Sequence, residues 1–207
     1  MSERPVLFPL FLKLDGLLAL VVGGNHETEG KIAGLLTSGA RVRLVAPSVT
    51  DGIREFVDAR KIAWTARRFE SNDLDGVMLV IALDEDDAVN ELVYREATER
   101  GVLCNVVDQP ERCHFYYPAV VRRGQLQIAI STGGLSPALA SEIRRDLDQQ
   151  FEAAYAEWTE ALGRARERVL RKLPRSSRRT TLLQRMATKR AFEKFAAGRA
   201  KQIQEQS

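Results

Sequence analysis

The segment from residue 17 to residue 31 narrows the possible folds of this chain most. Leu17 to Val22 is an unbroken apolar run, the pattern of a strand buried on both faces in a parallel sheet. It stops at Gly23-Gly24. Ile32, Leu35 and Leu36 follow at helical spacing, with Gly39 placed to end the helix. Strand, glycine turn and helix, in that order, form the setting of a dinucleotide-binding turn, whose helix-start amides hold a pyrophosphate. The match to G-x-G-x-x-G/A is partial, because Asn25 and Thr28 occupy the second and third small-residue positions. The second glycine normally lets backbone approach phosphate, and the third lets helix pack on strand. Glu27 and Glu29 suit the helix dipole but repel a phosphate. A strand-to-helix turn without a ligand is the competing reading.

The alternation continues. Arg41 to Val45 reads as a second strand closed by Ala46-Pro47, and Ser48 can cap the next helix, with Ile53, Phe56 and Val57 inward. Ile62 to Phe69 and Val77 to Ala82 read as further strands. Asp84 to Asp87 make an acidic helix start, and Val89, Leu92 and Val93 continue that helix to Gly101. Val102 to Val107 is a fifth strand, with Asp108 at its carboxyl end. The pattern predicts an α/β fold, a Rossmann-like parallel sheet. An apolar Leu7 to Leu14 segment is expected as one more strand, at an edge because of Pro9. No acidic residue stands after the second strand, where one would grip ribose hydroxyls.

Beyond residue 116 the pattern changes. Tyr117 to Arg122 and Leu126 to Ser131 flank a turn at Arg123-Gly124-Gln125, which predicts a hairpin. Ser136 and Pro137 are suited to open a helix. Leu139, Ile143, Leu147, Phe151, Ala154, Trp158 and Leu162 then form one helical stripe, to be buried within the chain or against a second subunit. After a break at residues 174–177, a basic amphipathic helix is expected from about Thr180 to Ala197.

Composition excludes several classes. No apolar run approaches the ~20 residues a membrane span needs, and a signal peptide's basic start and apolar stretch are missing, so the expected compartment is the cytoplasm. Cys104 and Cys113 are too few for a disulfide framework or a zinc site, and Cys104 reads as a buried thiol. The net charge of +3 hides an asymmetry: residues 161–207 hold fourteen Lys or Arg against three Glu, leaving the remainder acidic. An acidic partner for that tail is implied. Nucleic acid is not expected, because no recognised nucleic-acid module is present and Phe192 and Phe195 are spaced for packing.

Taken in order, Phe8-Pro-Leu-Phe-Leu12, Val21-Val-Gly-Gly24, a helix starting near Lys31, Leu44-Val-Ala-Pro47, Leu79-Val-Ile-Ala82, Cys104-Asn-Val-Val-Asp108, Tyr117-Pro-Ala-Val-Val-Arg-Arg-Gly124 and Ile130-Ser-Thr-Gly-Gly-Leu-Ser-Pro137 closely resemble one family. It is the precorrin-2 dehydrogenase / sirohydrochlorin ferrochelatase family, the N-terminal part of sirohaem synthase. The resemblance implies a Rossmann-like NAD-binding domain at 1–113, a dimerisation segment at 114–145 and an α-helical C-terminal domain at 146–207. It implies NAD-dependent oxidation of precorrin-2 to sirohydrochlorin, in many members followed by ferrous iron insertion. Iron is then a substrate, with no resident metal site. The implied partners are the tetrapyrrole and a second copy of the chain, with no membrane.

The family's catalytic aspartate matches Asp108, a general base for the oxidation and for removing pyrrole protons. By the same carry-over, Gly23, Gly24, Asn25, His26, Glu27, Pro47 and Ser48 are the cofactor-binding positions. The family usually reads Gly-Gly-Gly-x-Val-Ala-x-x-Lys at the turn. Against that pattern a left-handed Asn25 donating its amide to the pyrophosphate is the expectation. Two alternatives stay open: an iron chelatase that no longer uses NAD, and a non-catalytic nucleotide- or tetrapyrrole-binding sensor. His114 reads as a polar residue at the hairpin entry or as a proton shuttle beside Asp108.

Overall fold

The computed structural model describes residues 6–205. The ends of the expected segments, at residues 1–5 and 206–207, lie outside the described residues. The chain divides into two compact units, Met1–Tyr117 and Pro118–Ser207.

The first unit is built on five parallel strands: β1 (Leu18–Val22), β2 (Arg41–Val45), β3 (Ile62–Thr65), β4 (Leu79–Ala82) and β5 (Leu103–Val106). Their order is β3-β2-β1-β4-β5. Helices α1 (His26–Thr37), α2 (Asp51–Asp58) and α3 (Asp87–Glu99) join them. Every residue of β4 is buried, as expected of a strand covered on both faces. Alternate side chains feed two cores. Ala19, Val21, Val42, Leu44 and Ile81 pack with Ile32 and Leu35 of α1 and Ile53 of α2. Leu20, Val22, Val45, Val80 and Val106 pack with Val93 and Ala97 of α3.

Beneath the second core lies an ion pair. Asp73 is 5% exposed and takes both terminal nitrogens of Arg67, at 2.8 and 2.7 Å, plus the Glu70 amide at 2.9 Å. Burial works to raise the Asp73 pKa. The Arg67 hydrogen bonds, the Glu70 amide and the charges of Arg67 and Arg43 outweigh it and hold the carboxyl below its ordinary value.

The Leu7 to Leu14 segment is not a strand. Phe8, Leu10 and Phe11 are exposed, and only Leu14 is buried in the core. Apolar composition alone does not form a strand, and Pro9 has no N–H to give a ladder. β3 ends at Thr65, four residues before the expected Phe69. The helix expected near Lys31 begins five residues earlier, at His26, because Asn25 caps it.

The second unit opens with the antiparallel hairpin of β6 (Ala119–Arg123) and β7 (Leu126–Ile130). Helices α4 (Pro137–Gln150), α5 (Ala154–Lys172), α6 (Ser177–Met186) and α7 (Lys189–Glu205) follow. Ser136 caps α4 by accepting from the Leu139 amide at 3.2 Å. The expected single stripe from Leu139 to Leu162 is broken at Phe151. Arg123 donates to the Phe151 carbonyl at 2.6 Å and the Asp148 carbonyl at 2.7 Å, so a β6 cation terminates α4. Tyr155 stacks on Phe192 with centroids 3.9 Å apart, and Trp158 meets Phe195 at 5.0 Å. Those α5 aromatics are half-buried and pack against α7, and no residue of α5 is fully buried. The expected basic helix is two helices, since Thr188 caps a new start by accepting from the Ala191 amide at 3.3 Å.

Asp73 gives a stability test. A carboxyl whose folded pKa is depressed stabilises the fold above its unfolded pKa, and loses that contribution as pH falls through the folded value. Asp73→Asn should lower stability by about 2 kcal/mol near neutrality. The gap in Tm between variant and parent should close as pH falls below about 4. A gap that stays constant across a pH series of thermal melts would refute this account.

Candidate active site

The carboxyl ends of β1 and β4 meet where the strand order reverses, the usual ligand position of an open α/β sheet. A cleft of ≈ 400 Å³ opens there, within the range of small-molecule sites. Its floor is the turn after β1. Gly23 has φ +110°, and a Cβ there would stand 2.4 Å from the Leu83 carbonyl oxygen. A Cβ on Gly24 would stand 2.0 Å from the Ser48 carbonyl oxygen. Both glycines are thus required by neighbouring backbone, before any ligand is considered.

Of the expected cofactor positions, the structure brings Gly23, Gly24, Asn25, His26, Pro47 and Ser48 together around the cleft. Glu27 stays outside it and pairs with Lys31 at 3.6 Å. His26 contributes its backbone, since its ring is 91% exposed and sits 3.2 Å from Glu29. Among the described residues, the amides of Gly24, Asn25, His26 and Glu27 have no partner. Four free donors at a helix start fit a pyrophosphate.

Asn25 departs from expectation. Its φ is −83° and its ψ 177°, extended and not left-handed. Its oxygen accepts from the Thr28 amide and hydroxyl, each at 3.2 Å, and its amide donates to the Leu83 carbonyl at 3.1 Å. The side chain therefore caps α1 and ties it to β4 instead of reaching outward. Thr28 is fully buried, and its hydroxyl also reaches the Gly23 carbonyl at 3.1 Å. The two non-glycine residues answer each other's hydrogen-bonding needs.

Asp108 lies one strand aside. The Val107 amide donates to the Ala82 carbonyl at 3.0 Å, and Val106 is level with Ala82. Asp108 therefore stands beyond β5 as Asp84, a cleft residue, stands beyond β4. It is the third residue of a turn closed by the Gln109 amide on the Val106 carbonyl at 3.2 Å, and its φ is +61°. Its carboxylate is exposed and has no hydrogen bond or ion pair among the described residues. The turn itself is clamped. The Cys113 thiol donates toward the Val106 and Gln109 carbonyls at 3.1 and 3.2 Å. Asp87 receives Gln109 at 2.6 Å and Arg112 at 3.0 Å, bonds that hold its carboxyl below the ordinary range.

His114 is a structural residue. Its Nδ1 accepts from the Cys104 amide at 3.1 Å, which leaves Nε2 protonated beside the Thr98 hydroxyl at 3.3 Å. Burial pushes the Cys104 thiol up to about 12, so it stays protonated.

Residues 10–119 match the family described as "Putative NAD(P)-binding", and residues 123–150 match "Sirohaem biosynthesis protein central". The chain belongs to the precorrin-2 dehydrogenase / sirohydrochlorin ferrochelatase family. The siroheme synthase of Actinobacillus pleuropneumoniae serotype 3 (strain JL03) is 33% identical over 187 residues, 90% of this chain and 38% of that protein. The siroheme synthase of Pseudomonas aeruginosa (strain LESB58) is 36% identical over 191 residues, 92% of this chain and 41% of that protein. The chain thus spans about two fifths of these curated relatives. The solved structure of SirC, precorrin-2 dehydrogenase, superposes with a TM-score of 0.76 at 27% identity, covering 94% of this chain and all of that one.

Against the family's glycine turn, this member replaces small residues with a hydrogen-bonded Asn–Thr pair. Sequence reasoning missed Thr50, Arg68, Leu83, Asp84 and Glu85, which also line the cleft. Asp84 and Glu85 could have been found from their place just past a buried strand. Arg68 is hidden by a sequence pattern that carries the third strand on to Phe69, whereas β3 ends at Thr65.

Gly24→Ala should abolish dinucleotide binding, because the added methyl must displace the Ser48 loop from the cleft. Asn25→Ala, by contrast, should cost about 1 kcal/mol of stability through the lost cap. Chemical denaturation alongside dinucleotide titration distinguishes the two. Normal binding by a folded Gly24→Ala protein would contradict the close approach.

Proposed function

We propose that the chain oxidises precorrin-2 to sirohydrochlorin with NAD, Asp108 acting as the general base. The observation that carries this reading is Asp108 itself. A non-glycine residue at φ +61° costs about 1–2 kcal/mol, yet its side chain makes no compensating bond among the described residues. Glycine would fit that turn with less strain. A carboxylate kept there, on a clamped turn beside the cleft, is suited to receive a proton from a ligand. The free amides at residues 24–27 would hold the pyrophosphate of NAD. Once bound, the nicotinamide supplies the hydride acceptor, and Asp108 takes the accompanying proton.

Ferrous iron insertion is the second activity of this reading. It requires the loss of two pyrrole N–H protons, and the same exposed carboxylate can accept them in turn. Iron enters as substrate. The basic residues of α5, α6 and α7 would attract the substrate's carboxylates over a distance. We place the working protein in the cytoplasm as a homodimer: both cysteines are free, and Leu135 and Leu139 are 75% and 52% exposed at the α4 start, an apolar face suited to a second copy.

Purified chain should reduce NAD in the presence of precorrin-2, read as NADH absorbance, and consume ferrous iron when given sirohydrochlorin. Iron uptake without NADH formation would instead favour a chelatase that has lost the oxidation. Asp108→Gly is the sharper test. It should hold or raise Tm while lowering both rates by about 10²–10⁴. A stable Asp108→Gly protein with full turnover would remove Asp108 from the chemistry.

A further inference from the structure

We infer that Asp87 is a positioning residue for the proposed oxidation: it fastens the turn that carries Asp108 to the same helical turn that holds the cleft wall. This inference rests on the proposed function above. Asp87 is the first residue of α3, and Asp86 before it already serves as the N-cap, its side chain accepting from the Ala88 amide at 3.1 Å. Asp87 is not needed as a cap and reaches instead across 22 and 25 residues of sequence. Its Oδ1 accepts from Gln109 Nε2 at 2.6 Å and from Arg112 at 3.0 Å. Arg112 also donates to the Gln109 side-chain oxygen at 2.8 Å, which closes a ring of three side chains. The other terminal nitrogen of Arg112 lies 3.6 Å from Glu91, one turn further along α3. The chain directly after Asp108 is therefore attached to two successive turns of one helix.

The start of α3 also holds the cleft. Asn90 is buried. Its oxygen accepts from the Asp84 amide and its amide donates to the Asp84 carbonyl, both at 2.9 Å. Leu83, Asp84, Glu85 and Val89 line the cleft. One helical turn thus carries the cleft wall through Asn90 and the Asp108 turn through Asp87, so the separation of a bound cofactor from the base is set within α3. Stability does not account for the ring. The Asp87 side chain is 63% exposed, and an exposed ion pair contributes little to folding. Geometry accounts for it, because a displacement of about 1 Å at a reacting group costs about 10²-fold in rate. The Cys113 thiol holds the turn by its carbonyls alone. The Gln109 side chain adds a second point of attachment, next to Asp108 itself.

The test is steady-state NADH formation from precorrin-2 by the full chain, with NAD affinity measured separately by calorimetry. The proteins are the parent, Asp87→Ala, Asp87→Asn, Gln109→Ala and the double variant Asp87→Ala/Gln109→Ala. Asp87→Ala should lower kcat about 10–100-fold, while NAD affinity and Tm stay close to those of the parent. Asp87→Asn keeps an acceptor oxygen and should recover part of that loss. The double variant should be no slower than the slower single one, because both substitutions break one contact. Parental kcat in Asp87→Ala overturns the inference and leaves the proposed function standing. A loss of NAD affinity that matches the loss of kcat also overturns it, since Asp87 would then act on the cleft as a whole. Should Asp87→Ala fail to fold, Gln109→Ala decides, and parental kcat there overturns the inference. If the parent forms no NADH, or Asp108→Gly keeps full turnover, the proposed function itself fails, and this inference with it.

Discussion

The first unit turns on a close approach of three backbone segments. The turn after β1 passes so near the Leu83 carbonyl on one side and the Ser48 carbonyl on the other that neither Gly23 nor Gly24 can carry a Cβ. That approach brings the loops after β1, β2 and β4 together at one edge, and the cleft is the space they leave. Parallel strands make this possible, since all five release their chains at the same edge. The glycines therefore act first on the protein. Only because the turn is so tight does α1 start with its amides aimed into open space.

The Asn25–Thr28 pair shows how one geometry can be reached by two chemistries. A glycine at the second position allows close approach by having no side chain. Asn25 reaches a comparable result by folding its side chain back, so that every polar atom of the amide meets protein. Thr28 could not be fully buried without a partner for its hydroxyl, and Gly23 and Asn25 supply one. Motif matching treats the two substitutions as independent losses. Hydrogen-bond accounting treats them as one exchange, because an unpaired buried hydroxyl would cost about 1–3 kcal/mol.

Much of the fold could be read in advance where burial on both faces forces an apolar run, as in β1, β4 and β5. Reading failed where the decisive partner is distant in sequence. The Leu7 to Leu14 segment is apolar but finds no ladder. The stripe from Leu139 to Leu162 keeps its helical period through Phe151, and nothing local marks the break. The cause is Arg123, 28 residues earlier, which binds the carbonyls at the end of α4. At the cleft, Pro47 and Ser48 were legible as the end of a strand, whereas Arg68 required knowing where β3 stops. At Glu27 the side chain points along α1 to Lys31, which leaves the free backbone amide as the group that position offers at the helix start.

Asp108 combines both kinds of information. Its position past a buried strand is visible in the sequence, but its positive φ is not, and the conformation changes the argument. An aspartate in an ordinary turn needs no explanation, since it caps and solvates well. In the left-handed region, with its carboxylate unbonded among the described residues, it gains nothing that glycine would not give. The cost is sustained by neighbours: the Cys113 thiol on two turn carbonyls, and Asp87 gripping Gln109 and Arg112. Strain that is held in place from several sides fixes where a side chain can go. For the general base that Asp108 is proposed to be, a fixed position matters more than a relaxed backbone.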